Sequence, residues 1–121
     1  MIALEITLNG KRLKLAGSED LGVLNAIISA TGKLGNATNH KVKNELGYDL
    51  FLRVGGLTSR TNEQSDEHLS WVNLNNLKVG DEITIKVIES DSTDDPISSK
   101  KVNEEARRLM RAKIGKKYSK K

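Results

Sequence analysis

The chain has 121 residues, with 20 Lys+Arg against 16 Asp+Glu, a net charge of +4 and no cysteine. That length makes one domain with room for a tail, and the missing cysteine excludes a disulfide scaffold or a thiolate metal site. An apolar fraction of 36% is too high for wholesale disorder. No apolar run approaches the ~20 residues of a membrane span, and the N-terminus lacks a signal-peptide layout, so a cytoplasmic protein is expected.

Ile2, Leu4, Ile6 and Leu8 alternate with Ala3, Glu5 and Thr7; after Asn9-Gly10, Leu13 and Leu15 alternate with Arg12 and Lys14. Asn-Gly between two alternating runs predicts a hairpin closed by a type I′ turn, whose central residues both take positive φ. A two-residue loop pairs Leu8 with Lys11, Ile6 with Leu13 and Leu4 with Leu15, which puts four aliphatic side chains on one face.

Ala16-Gly17 ends the hairpin. Ser18 is placed as a helix N-cap, with Glu19 and Asp20 in the first turn, and Leu21, Leu24 and Ile28 recur at helical spacing up to Gly32 at the C-cap position. A helix of about three turns is expected. The competing reading is a buried strand, because Val23, Ile27 and Ile28 are β-branched.

Residues 33–47 read as a long loop with a short helical turn around His40–Leu46. Tyr48, Leu50, Leu52 and Val54 alternate with Asp49, Phe51 and Arg53 as a third strand, which Gly55-Gly56 ends or bends. Residues 58–68 are polar. Leu69–Leu74 is a short strand or turn carrying the only Trp, Leu77–Glu82 is a turn, and Ile83, Ile85 and Val87 form the last strand. Residues 91–99, with the only Pro, read as a linker. Residues 103–114 form a basic helix or remain a tail.

The elements are those of an α+β, β-grasp-like domain, a mixed sheet packed on one helix. It occupies residues 1–90, followed by a linker at 91–99 and a basic extension at 100–121. Charge divides at the same boundary. Residues 100–121 carry ten Lys/Arg against two acids, a net +8, whereas the first 99 residues are net −4.

Ile6–Lys11 (ITLNGK) and Leu77–Ile83 (LKVGDEI) give the chain a resemblance to the small sulfur-carrier proteins of thiamin and molybdopterin synthesis. Those are ubiquitin-like β-grasp proteins, and the resemblance implies that fold over residues 2–88. It does not extend to the carrier chemistry, which uses a terminal Gly-Gly: here Gly55-Gly56 is internal, Gly115 is single, and the sequence ends Ser119-Lys120-Lys121. A divergent carrier or modifier needing C-terminal processing is the least favoured reading. The stretches LRVGGL and VGDEITIKV are also similar to an uncharacterised bacterial protein group.

No catalytic set converges. His40 and His68 lack a third ligand at metal-site spacing, no G-x-S-x-G, P-loop or G-x-G-x-x-G is present, and Asp91, Asp94 and Asp95 lack the spacing of a calcium loop. No enzyme, cofactor or metal is expected. A non-catalytic ubiquitin-like module recruiting a protein partner is the first reading, with Trp71, Phe51 and Arg53 as candidate contacts. Trp is favoured at interface hot spots, although Trp71 also suits the core. The alternative is nucleic-acid association, with Arg107, Arg108, Arg111, Lys113, Lys116 and Lys117 on phosphate and Tyr118 stacked on a base.

Overall fold

The computed structural model describes residues 1–37, 45–60 and 65–101. β1 (Ile2–Leu8) and β2 (Lys11–Ala16) form the expected hairpin, with Asn9 at φ 51° and Gly10 at φ 81° in the turn. The register starts as predicted at Leu8–Lys11, but a bulge at Leu13 then sets Ile6 opposite Lys14 and Leu4 opposite Ala16. One extra residue on β2 adds local twist, so Ile6 and Ala16 are both fully buried.

The segment expected as a helix is a strand, β3 (Leu21–Gly32). Among the described residues there is no helix, and the α+β, β-grasp-like expectation is overturned: the described part of the protein is all-β. β3 is followed by β4 (Tyr48–Thr58), β5 (Glu67–Asn76), β6 (Ile83–Glu89) and β7 (Ser98–Lys101). Two antiparallel sheets result, ordered β2-β1-β6 and β3-β4-β5-β7. β1 does meet β6, but antiparallel, and the position of the grasped helix is filled by an edge strand of the second sheet.

The physical reason lies in a bulge. The β3–β4 register shifts at Gly22, so Leu21 and Leu24, three residues apart, both reach the core, followed by Ala26. A spacing of three and then four imitates a helical stripe, while the β-branched residues prefer the pleated surface.

Ile6 and Ala16 from the first sheet meet Leu52, Val54, Leu69, Trp71 and Val72 from the second. Each fully buried aliphatic side chain there contributes about 1.5–3 kcal/mol. Trp71 and Val72 are adjacent yet both buried, because the β4–β5 register shifts between Val54 and Gly55. β4 runs through Gly55-Gly56, which bends it without ending it.

Polar ties close the periphery. The two turns quoted for the family resemblance lie side by side: Asn9 Nδ2 donates to Asp81 Oδ1 at 3.0 Å, and the Glu82 N–H donates to Asn9 Oδ1 at 2.8 Å. Donation from Asn9, and then from the Lys78 N–H, holds the Asp81 carboxyl below its usual range. Arg60 Nε pairs with Asp20 Oδ2 at 2.8 Å and its Nη1 lies 3.4 Å from Glu67 Oε1, joining the ends of β3, β4 and β5. The Ser18 hydroxyl, then Arg60, lowers the Asp20 pKa.

Residues 91–97, expected as a linker, run as a strap along one side of the two sheets. The Asp94 N–H donates to the Leu15 carbonyl, the Leu15 N–H to Asp94 Oδ2, Thr93 Oγ1 to the Gly17 carbonyl, and the Ile97 N–H to the Ser70 carbonyl. The chain then enters β7 on the edge of the second sheet.

Candidate functional site

Strand alternation divides β4 into an inner set, Leu52 and Val54, and an outer set, Phe51, Arg53, Gly55 and Leu57. Directly opposed residues share a face, so the register extends the outer set across the sheet. Ile27 lies opposite Arg53, Asn25 opposite Gly55, and Val23 opposite Leu57; on the other side Ser70 faces Gly55 and His68 faces Leu57. β7 adds Lys100 opposite His68.

The middle of this face is a groove of about 350 Å³. Its floor is low because position 55 has no side chain. Glycine is required there by close backbone approach: a Cβ at Gly55 would lie 2.8 Å from the Leu69 carbonyl oxygen, and one at Gly56 2.4 Å from that of Val23. Val23 and Ile27 supply apolar walls, and Asn25, Ser70 and Asn73 supply hydrogen-bonding groups. Arg53 stands toward one end and His68 toward the other, and no carboxylate lines the groove. Arg53 is held in place by its neighbour, with Cζ 5.1 Å from the centre of the Phe51 ring, within cation–π range.

Of the three candidate partner-binding residues, Phe51 and Arg53 therefore stand together on the outer face. Trp71 does not. It is 1% exposed, and its indole N–H donates to the Asp94 carbonyl at 2.7 Å, so its role is to anchor the strap. The core placement weighed for Trp71 is the one observed. The candidate phosphate-binding residues Arg107, Arg108, Arg111, Lys113, Lys116, Lys117 and Tyr118 lie outside the described residues, as does most of the turn at His40–Leu46.

Val23, Asn25 and Ile27 do not stand out as site residues in the sequence, because their segment reads as a helix. The signal that exposes them is the uncharged, β-branched composition of Leu21–Thr31. Chemically the face offers apolar contact, amide and hydroxyl groups and a fixed cation. Among the described residues no group of three or more His, Asp or Glu is placed to hold a metal ion, and no helix is long and apolar enough to cross a membrane. No protein-family model, curated protein or solved structure matches the chain.

Proposed function

We propose that the chain is a non-catalytic binding module that recruits a protein partner through the outer face of β3, β4 and β5. The observation that carries this reading is the juxtaposition of exposed Val23 and Ile27, 48% and 46% accessible, with the Gly55 groove and the Phe51-braced Arg53. Apolar side chains beside an ordered arginine are the composition of an interface centre, where a few residues dominate the binding energy. The absence of cysteine suits a reducing cytoplasmic setting.

The test is affinity capture from the native host with the full chain and with Arg53→Glu, followed by titration of whatever partner is enriched. Loss of an arginine anchor costs about 2 kcal/mol or more, roughly thirtyfold in Kd. Equal affinity for both proteins refutes the reading.

A second reading, phosphate binding by the basic C-terminal segment, is favoured by Lys100 and Lys101 leading into it on exposed β7. It requires RNA or DNA affinity that falls steeply with salt and disappears when residues 102–121 are removed.

A further inference from the structure

Two sheets have four edges, and these edges are not equivalent. β2 is bulged at Leu13 and paired along its free side by Asp94 of the strap. The described part of β7, Ser98–Lys101, carries two lysines. Short, bulged, charged or covered strands are the ordinary protections against edge-to-edge pairing. β6 has a regular register but carries Lys86 at its centre.

β3 has none of these protections over most of its length. It is 12 residues long, its register with β4 is unbroken from Val23 to Gly32, and it contains no charged residue and no proline. Among the described residues it pairs only with β4. Both of its faces carry exposed aliphatic side chains, Val23 and Ile27 on the outer face and Ile28 on the inner.

The two sheets are offset. β1 packs over β3 and β2 over β5, so β6 overhangs on the β3 side. Ile83 still packs against the core, but the next two residues of that face are left uncovered, Ile85 at 40% and Val87 at 69% exposure. The strap seals the opposite side. The open side thus combines a main-chain edge about 33 Å long with an apolar row from the second layer.

We infer that this side is the interface between two copies of the chain, joined by antiparallel pairing of β3 with the β3 of the second copy. Charge selects this occupant. An uncharged strand offers nothing to complement in a charged partner, but it opposes its own copy without any like-charge contact. A two-fold axis at Ile27, near the middle of the unbroken Val23–Gly32 register, sets outer residues against outer and inner against inner, so both faces continue across the axis. The four-stranded sheets join into one of eight strands, and Ile28 lies opposite Ala26 of the second copy on the inner face, diagonal to its own symmetry mate.

The test uses the full chain. Sedimentation equilibrium is expected to show a dimer. Ile28→Lys, which lies outside the outer-face groove, places a cation on the inner side of β3 in each copy and weakens the dimer by more than about tenfold. The protein has no cysteine, so Ile27→Cys introduces a unique probe. With the axis at Ile27 the antiparallel pair brings position 27 to within about 4.5–5.5 Å of position 27 in the second copy, inside disulfide range, and mild oxidation yields a covalent dimer. Val79→Cys, more accessible still in the turn before β6, does not cross-link. A monomer at every concentration tested overturns the inference. So does a dimer that survives Ile28→Lys in a folded protein, or one that cross-links through position 79 and not 27. If Ile28→Lys fails to fold, the cysteine pair decides.

Discussion

Replacing Gly56 by alanine tests the close approach that shapes the candidate binding face. Gly56 lies inside the sheet, opposite Leu24 on β3 and Leu69 on β5. An added Cβ would stand 2.4 Å from the Val23 carbonyl oxygen and 2.9 Å from Leu21 Cδ2. The leucine can rotate away, but the carbonyl belongs to the ladder. Restoring an ordinary contact of 3.4 Å withdraws β3 by about 1 Å, which takes one or two ladder hydrogen bonds beyond bonding range. Those bonds are worth about 1 kcal/mol each, and the strain of overpacking adds about 1–3 kcal/mol. Alanine returns about 0.5–1 kcal/mol by restricting the unfolded chain. The net loss is about 2–3 kcal/mol, a fall in Tm of about 10–20 °C for a domain of this size. Thermal melting followed by far-UV circular dichroism reads it directly. Gly35→Ala is the control, because no atom lies within 4 Å of its added Cβ, and it should melt at or slightly above the wild-type temperature. A Gly56→Ala protein melting within about 3 °C of wild type would refute the claim that backbone approach dictates this glycine.

Trp71→Phe removes the hydrogen bond to Asp94 and leaves a small cavity, with an expected cost of about 2–3 kcal/mol by denaturant titration and earlier proteolysis within residues 91–97. Because Trp71 is the only tryptophan, native emission should be blue-shifted and should move to the red in a single step on unfolding. The Asp20 carboxyl is depressed by Ser18 and then by Arg60, so its contribution is present above the unfolded pKa near 3.8 and is lost as pH falls below it. The Tm should drop in acid below about pH 4, and Asp20→Asn should flatten that drop while lowering Tm at neutral pH. Gly10→Ala, at φ 81° with open space around it, should cost about 1–2 kcal/mol in a chemical melt through backbone strain alone.

The strands legible in the sequence are those in which side-chain period and turn chemistry agree. Asn9-Gly10 locates the first hairpin, and the alternation at Tyr48–Val54 and Ile83–Val87 locates β4 and β6. What misleads at β2 and β3 is a single inserted residue. The Leu13 bulge moves the first register by one beyond Thr7. The Gly22 bulge turns a strand's inner face into the three-then-four spacing of a helix, and with it the fold class. Both bulges lie between neighbouring strands, but they are set by how the finished sheets pack on each other, so no local pattern announces them. The same limit applies to the candidate site. Phe51 and Arg53 are legible because β4 is. Val23 and Ile27 are hidden because β3 imitates a helix. Trp71 has the composition of a partner contact, but the Asp94 carbonyl, 23 residues downstream, holds its indole.

The placement of β1 dictates an order of assembly. β3, β4 and β5 are consecutive antiparallel neighbours, and their pairings need only the loops between them. β1, the middle strand of the other sheet, lies beside β2 at once but beside β6 only once β3, β4 and β5 have been made, since Ile2 pairs with Glu89 and Asn9 with the Asp81–Glu82 turn. β1 is therefore among the last strands to be fully covered. By topology, the long-range closure of β6 on β1 is expected to be slower than the local pairings of β3, β4 and β5, so the hairpin carrying Ile6 waits for its second neighbour. The polar N-terminal turn then serves the unfinished chain as well as the finished one, because Asn9, Gly10, Lys11 and Arg12 keep the waiting hairpin in solution until its partner arrives.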